Sequence, residues 1–155
     1  MRIAVSTDML EGVALKVIAD LEARGHQLRP FGAFNADERA DWAWSAEAAA
    51  RAVAEGVADQ GVVCCWTGTG AAIAANKVAG VRAALCTDAV TAAGAREWND
   101  ANVLALSLRL TSESLLGEIL DAWFAARPSA DPVDTANVAH IDEITSGGGE
   151  HRHTE

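Results

Sequence analysis

Apolar residues fall into two kinds of run that alternate along the chain. Short, nearly continuous runs occupy Arg2–Thr7, His26–Phe31, Gly61–Cys65, Val81–Cys86 and Asn102–Leu106. Between them, apolar residues recur at spacings of three and four. From Met9 to Arg24 this stripe is Leu10, Val13, Ala14, Val17, Ile18 and Leu21, and Gly25 stops it. Ser45–Gly56 and the segment from Asp88, a natural N-cap, to Trp98 are alanine-rich helices. Thr111–Ala126 presents Leu115, Leu116, Ile119, Leu120, Trp123 and Phe124 on one face. Short continuous runs suit strands buried on both faces, and the longer spacing suits amphipathic helices. Their alternation predicts an α/β fold: a three-layer α/β/α sandwich around a five-stranded, mostly parallel, Rossmann-like sheet. Gly32–Trp44 reads as an irregular polar segment carrying Trp42 and Trp44, and Asp131–Ile144 as short and moderately helical. Residues 1–145 form one domain. The glycine-rich polar stretch 146–155 is expected to be a disordered tail, with His151 and His153 solvated.

Composition narrows the function. The chain has 155 residues, half of them apolar and 22% charged, with a net charge of −10. That balance disfavours a nucleic-acid or anionic-membrane partner, which would need a basic face. It leaves room for a small anion bound in a local loop. The three cysteines, Cys64, Cys65 and Cys86, are few, and neighbours on a strand point to opposite faces, so no disulfide framework is expected. No Cys-x-x-Cys motif or histidine cluster suggests a metal site. With no secretory leader and no apolar run of about 18 residues, a reducing cytoplasm is the expected setting.

The chemistry concentrates in Val62–Lys77, VVCCWTGTGAAIAANK. This is a strand, a tight glycine loop and a helix. The loop Thr67-Gly68-Thr69-Gly70 places backbone N–H groups and two hydroxyls at a helix start. Unpaired donors and the positive dipole end suit a phosphate, a carboxylate or a developing oxyanion there. Cys65 directly precedes the loop, a position where a thiol can be activated as base or nucleophile. The loop has no third glycine for a dinucleotide fingerprint and no Gly-Lys-Ser/Thr ending for a phosphate loop. The plain alternative is a buried cysteine followed by a tight turn. In parallel sheets, ligands bind beyond the carboxyl ends of the strands. Asp8, Cys65, Thr67 and Asp88 all fall at such ends and can share one rim.

The run Gly68–Leu106, GTGAAIAANKVAGVRAALCTDAVTAAGAREWNDANVLAL, resembles the type B ribose-5-phosphate isomerases and the related galactose-6-phosphate isomerase subunits. The first strand ending at Asp8, the pair Asp41-Trp42 and Arg109 after the fifth strand extend the likeness to about Ile144. The resemblance implies an aldose–ketose isomerase that moves a proton between C1 and C2 through a cis-enediolate. It implies no cofactor and no metal. By it, Cys65 is the catalytic base, Thr67 the hydroxyl beside it, and Gly68, Thr69, Gly70, Ala71 and Ala72 the anion hole. Asp8, Met9, Trp42, Trp66, Trp98, Asn99 and Arg109 are the further substrate-binding positions, with Arg109 toward phosphate. The implied partner is a sugar or sugar phosphate. The implied assembly is a homodimer or dimer of dimers, with Asn99 reaching a neighbouring subunit's substrate.

Several positions depart from the family pattern. Met9 and Trp98 stand where histidines are common, and Trp66 replaces the glycine after the cysteine. Asp134, Asn137 and His140 occupy the C-terminal helix, where the family has arginines. An indole N–H accepts no proton, and a thioether has none to give. The substrate is therefore expected to differ from ribose 5-phosphate, for example a tetrose phosphate or a free sugar. The alternatives are a catalytically incomplete subunit and a sugar-phosphate-binding module.

Overall fold

The computed structural model describes residues 1–146. The expectations for 147–155, including His151 and His153, lie outside the described residues. Five strands and six helices follow in the order β1 (Arg2–Thr7), α1 (Ala14–Ala23), β2 (Gln27–Gly32), α2 (Trp42–Ala54), β3 (Gln60–Cys65), α3 (Thr69–Asn76), β4 (Ala83–Leu85), α4 (Ala89–Asn99), β5 (Val103–Ser107), α5 (Glu113–Ala125) and α6 (Pro132–Ser146). The sheet order is β2-β1-β3-β5-β4. Every neighbouring pair is parallel, which makes this the α/β sandwich the alternation predicts.

The interior of β1, β3 and β5 is buried on both faces, which is why these segments read as continuous apolar runs. One face packs on α1, α4 and α5 through Ile3, Val17, Leu104, Leu116 and Trp123. The other packs on α2 and α3 through Ala4, Ala49, Val63, Ala71 and Ala75. Small alanines let those two helices lie close to the sheet. Trp123 is 1% exposed, and its Nε1 donates to Gln60 Oε1 at 2.8 Å.

Four boundaries differ from the sequence reading. α1 begins at Ala14, not Met9, because Gly12 takes a φ of +59° hard against the Leu108 carbonyl and turns the chain. α2 begins at Trp42, so Trp42 and Trp44 lie in its first turn, not in a loop, with Asp41 at the N-cap. β4 is cut to Ala83–Leu85, because the backbone N–H of Arg82 is already held by the side chain of Asn102. α6 is a full helix of 15 residues, held to the body where Arg82 Nη1 meets Asp142 at 3.0 Å.

The chain leaves β1 toward β2 and then crosses back to β3, so a crevice opens between the carboxyl ends of β1 and β3. That crevice holds the site. Because Trp123 closes the opposite layer, Trp123→Ala is expected to cost about 3–5 kcal/mol of stability, read from urea unfolding.

Candidate functional site

A cleft of about 250 Å³ sits at this crevice, lined by Asp8, Trp42, Cys65, Trp66, Thr67, Thr69 and Gly70. All seven are positions the sequence singled out. Thr7 pairs with Cys64 in the parallel register, so Asp8 and Cys65 leave adjacent strands side by side.

Cys64 and Cys65 point to opposite layers, Cys64 into the α1/α4/α5 core and Cys65 toward α2 and α3. Burial pushes the Cys64 thiol far up, and pushes Cys86 up to about 12. Both are core residues; Cys65 is the one thiol that lines the cleft. Its Sγ accepts the Gly68 N–H at 3.2 Å. Gly68 is the N-cap of α3 with a φ of +78°. The Thr67 and Thr69 hydroxyls are 2.9 Å apart and share a hydrogen bond.

The expected anion hole is narrower than the run Gly68–Ala72. The Gly68 N–H is taken by Cys65, and the Ala72 N–H by the Gly68 carbonyl at 3.1 Å. Among the described residues no acceptor meets the N–H groups of Thr69, Gly70 and Ala71, so these three stay open at the helix start. The side chains of Ala71 and Ala72 face the core instead.

Two indoles shape the walls. Trp42 lies on Gly70 so closely that a Cβ there would stand 2.8 Å from its ring. Trp66 is 45% exposed, but its carbonyl is fixed by the Ser107 hydroxyl and the Arg109 N–H, each at 3.0 Å. Sequence reading missed Ser107, and no pattern flags a strand-end serine of this kind. Arg109 meets this wall through its backbone N–H; its side chain is exposed and is not part of the cleft lining.

Asp8 carries a buried carboxylate oxygen, Oδ1, with no hydrogen-bond partner. Burial raises its carboxyl above the ordinary range, with Glu11 and Asp41 adding repulsion; a backbone hydrogen bond opposes them.

Three expected contacts lie elsewhere in the same chain. Met9 packs partly buried against the first core. α4 runs back to the start of β5, so Trp98 and Asn99 in its last turn sit at the opposite rim. There they line a separate depression with Leu85 and Thr91. Arg82 and Arg96 both meet Asp100 and fix that helix end. The described residues contain no cluster of ligating side chains placed to hold a metal ion, and no helix long and apolar enough to cross a membrane.

The profile of the family described as Ribose/Galactose Isomerase matches residues 3–141. The chain belongs to the ribose/galactose isomerase family. It is an isomerase of the aldose–ketose class. Among its relatives, ribose-5-phosphate isomerase B of Escherichia coli strain K12 is 40% identical over 112 residues, covering 72% of this chain and 74% of that one. D-erythrulose-4-phosphate isomerase 2 of Mycolicibacterium smegmatis is 33% identical over 132 residues, covering 84% and 85%. The solved ribose-5-phosphate isomerase B of Clostridium thermocellum superposes with a TM-score of 0.87 at 35% identity, covering 96% and 100%. The chain therefore shares the family's fold over nearly its whole length.

The raised Asp8 carboxyl has a consequence for stability. A carboxyl that holds its proton more tightly when folded favours folding below the unfolded value near 3.8, and that contribution is lost as pH rises through the folded value. Asp8→Asn, which stays neutral, is expected to be more stable than the wild type at pH 7. The difference should vanish near pH 3, as seen in paired thermal unfolding curves.

Proposed function

We propose that this member of the ribose/galactose isomerase family interconverts an aldose phosphate and its ketose through a cis-enediolate, with Cys65 as the base. The observation that carries the reading is the shared cleft. The one thiol that lines it stands beside two hydroxyls, a carboxyl and the open first turn of α3. A base must take a carbon-bound proton while donors hold the charge that builds on oxygen. The Gly68 N–H donates to the Cys65 sulfur at 3.2 Å and fixes it at the mouth of the loop. The N–H groups of Thr69, Gly70 and Ala71 suit an enediolate oxygen, the Thr67 hydroxyl shares the cleft lining with the sulfur, and Arg109 suits the phosphate.

The substrate we assign is a four-carbon sugar phosphate. The cleft falls below the roughly 300–1,000 Å³ of ordinary ligand pockets, and Trp42 and Trp66 hold its walls in place. A four-carbon sugar carrying phosphate on C4 has no free hydroxyl placed to close a ring. It needs no ring-opening acid, and Trp98 offers none. The relative named D-erythrulose-4-phosphate isomerase 2 supports the same size class. Trp98 and Asn99 stand at the opposite rim, so in this reading they serve the cleft of a second copy, in a homodimer or dimer of dimers working in the cytoplasm.

Proton NMR in heavy water, with tetrose, pentose and hexose sugars both phosphorylated and free, tests the reaction. Deuterium should enter C1 or C2 of a four-carbon sugar phosphate, and Cys65→Ala should abolish it while remaining folded. Near-normal exchange in that variant would remove Cys65 as the base. Trp66→Gly is expected to raise the kcat/KM ratio of five-carbon over four-carbon phosphates by roughly tenfold or more, the scale of one added carbon in a fitted pocket. An unchanged ratio would remove Trp66 as the size gate.

A further inference from the structure

We infer that Asp8 carries the second proton of the reaction, between the two substrate oxygens. The inference rests on the isomerase reading of the same cleft. An aldose–ketose conversion moves two protons. One passes between carbons, the task assigned to Cys65. The other must leave a hydroxyl on one carbon and reach the carbonyl oxygen on its neighbour.

Few groups are available for that step. The chain has four histidines. Within the described residues, His26 stacks on Phe124 and His140 lies exposed on α6 beside Glu143. Neither lines the cleft. The Thr67 and Thr69 hydroxyls are hydrogen-bonded to each other, and a neutral hydroxyl gives up its proton far less readily than a carboxyl does. Asp8 is the one carboxyl in the lining.

Its placement suits the task. Asp8 follows Thr7, which pairs with Cys64, so its chain leaves the sheet one strand spacing, about 4.8 Å, from the chain at Cys65. A single substrate carbon–carbon unit can face both groups. Oδ1 is buried with no partner, while Asp8 as a whole is half-buried and lines the cleft, so its carboxyl is open to a substrate hydroxyl there. Burial, with the nearby charges of Glu11 and Asp41, strengthens the carboxyl's hold on a proton, which helps it take one from a hydroxyl.

The step balances without a co-reactant. The Cys65 thiolate takes the C–H proton; that electron pair becomes the C=C bond, and the carbonyl π pair moves onto oxygen. The Asp8 carboxylate accepts the proton of the adjacent hydroxyl and delivers it to the enediolate oxygen. The newly charged oxygen then re-forms C=O, and the C=C pair takes the proton from the Cys65 thiol at the other carbon. Thiolate and carboxylate are both regenerated, and nothing is oxidised or reduced overall.

The test follows two rates in heavy water, using the full chain with D-erythrulose 4-phosphate and with ribose 5-phosphate. The first is net conversion. The second is deuterium entering the carbon beside the carbonyl of unconverted substrate. In Asp8→Asn, conversion should fall roughly 100-fold or more, the scale of a lost proton-transfer group. Exchange should fall much less, so the ratio of exchange to conversion should rise at least about tenfold. The amide can still donate to the enediolate oxygen but cannot relay the proton. A merely structural loss would lower both rates together and leave the ratio unchanged, which would overturn the inference, as would undiminished conversion. Should the amide variant not fold, Asp8→Ser gives the same comparison. Exchange that survives in Cys65→Ser would instead strike the assignment of the base, whatever Asp8→Asn does.

Discussion

The cleft depends on the backbone reversal at Gly68. The φ of +78° there is open to glycine, and the space is closed to anything larger. A Cβ would come within 2.5 Å of Leu85 Cδ1 and 2.9 Å of the Leu106 backbone. The turn therefore presses the start of α3 onto β4 and β5. That approach aims the Gly68 N–H back at the Cys65 sulfur and leaves the next three N–H groups facing outward. Gly70, two residues on, is small for a different reason, since the Trp42 ring occupies the space a side chain would need.

Electrostatics at the rim run in two directions. The chain is acidic overall, and Asp8, Asp41 and Glu11 gather on the β1 side of the cleft. The first turn of α3 supplies the opposing partial positive charge. Arg39 does not join it, because its guanidinium is paired with Asp41 at 2.6 Å and stacked 3.5 Å over Trp44. Arg109 touches the Trp66 wall through its backbone N–H, with its side chain exposed. The cleft therefore sets the backbone dipoles of the α3 start against the carboxyls of the β1 side.

Much of this was legible in the sequence because buried strands and amphipathic helices leave different spacings. The strand ends carried Asp8 and Cys65, and the Asp88 cap is seen directly in its 2.7 Å bond from the Thr91 N–H. The helix starts were harder. The α1 stripe includes Leu10 and Val13, so periodicity ran on through a turn that only the contact between Gly12 and Leu108 explains. Trp42 and Trp44 looked like loop aromatics because the capping-type residue Asp41 follows a polar, irregular stretch, and its side chain pairs with Arg39 instead of capping the helix. The separation of Trp98 and Asn99 from Cys65 follows from α4 running back to the start of β5, a spatial fact that no local spacing encodes. The Arg82–Asp100–Asp142 links likewise join distant positions through charge alone.

The contact between Trp42 and Gly70 has a consequence for how such a cleft can diverge. The two residues come from different helices, yet neither can change size independently. Any side chain at 70 must displace the indole at 42, and a smaller residue at 42 leaves a bare glycine surface open to water. Reshaping this wall toward a new substrate is therefore a paired event, with a single-step intermediate that is either crowded or hollow. Trp66, pinned only through its backbone carbonyl, carries no such partner at its ring, which makes it the side of the cleft free to drift.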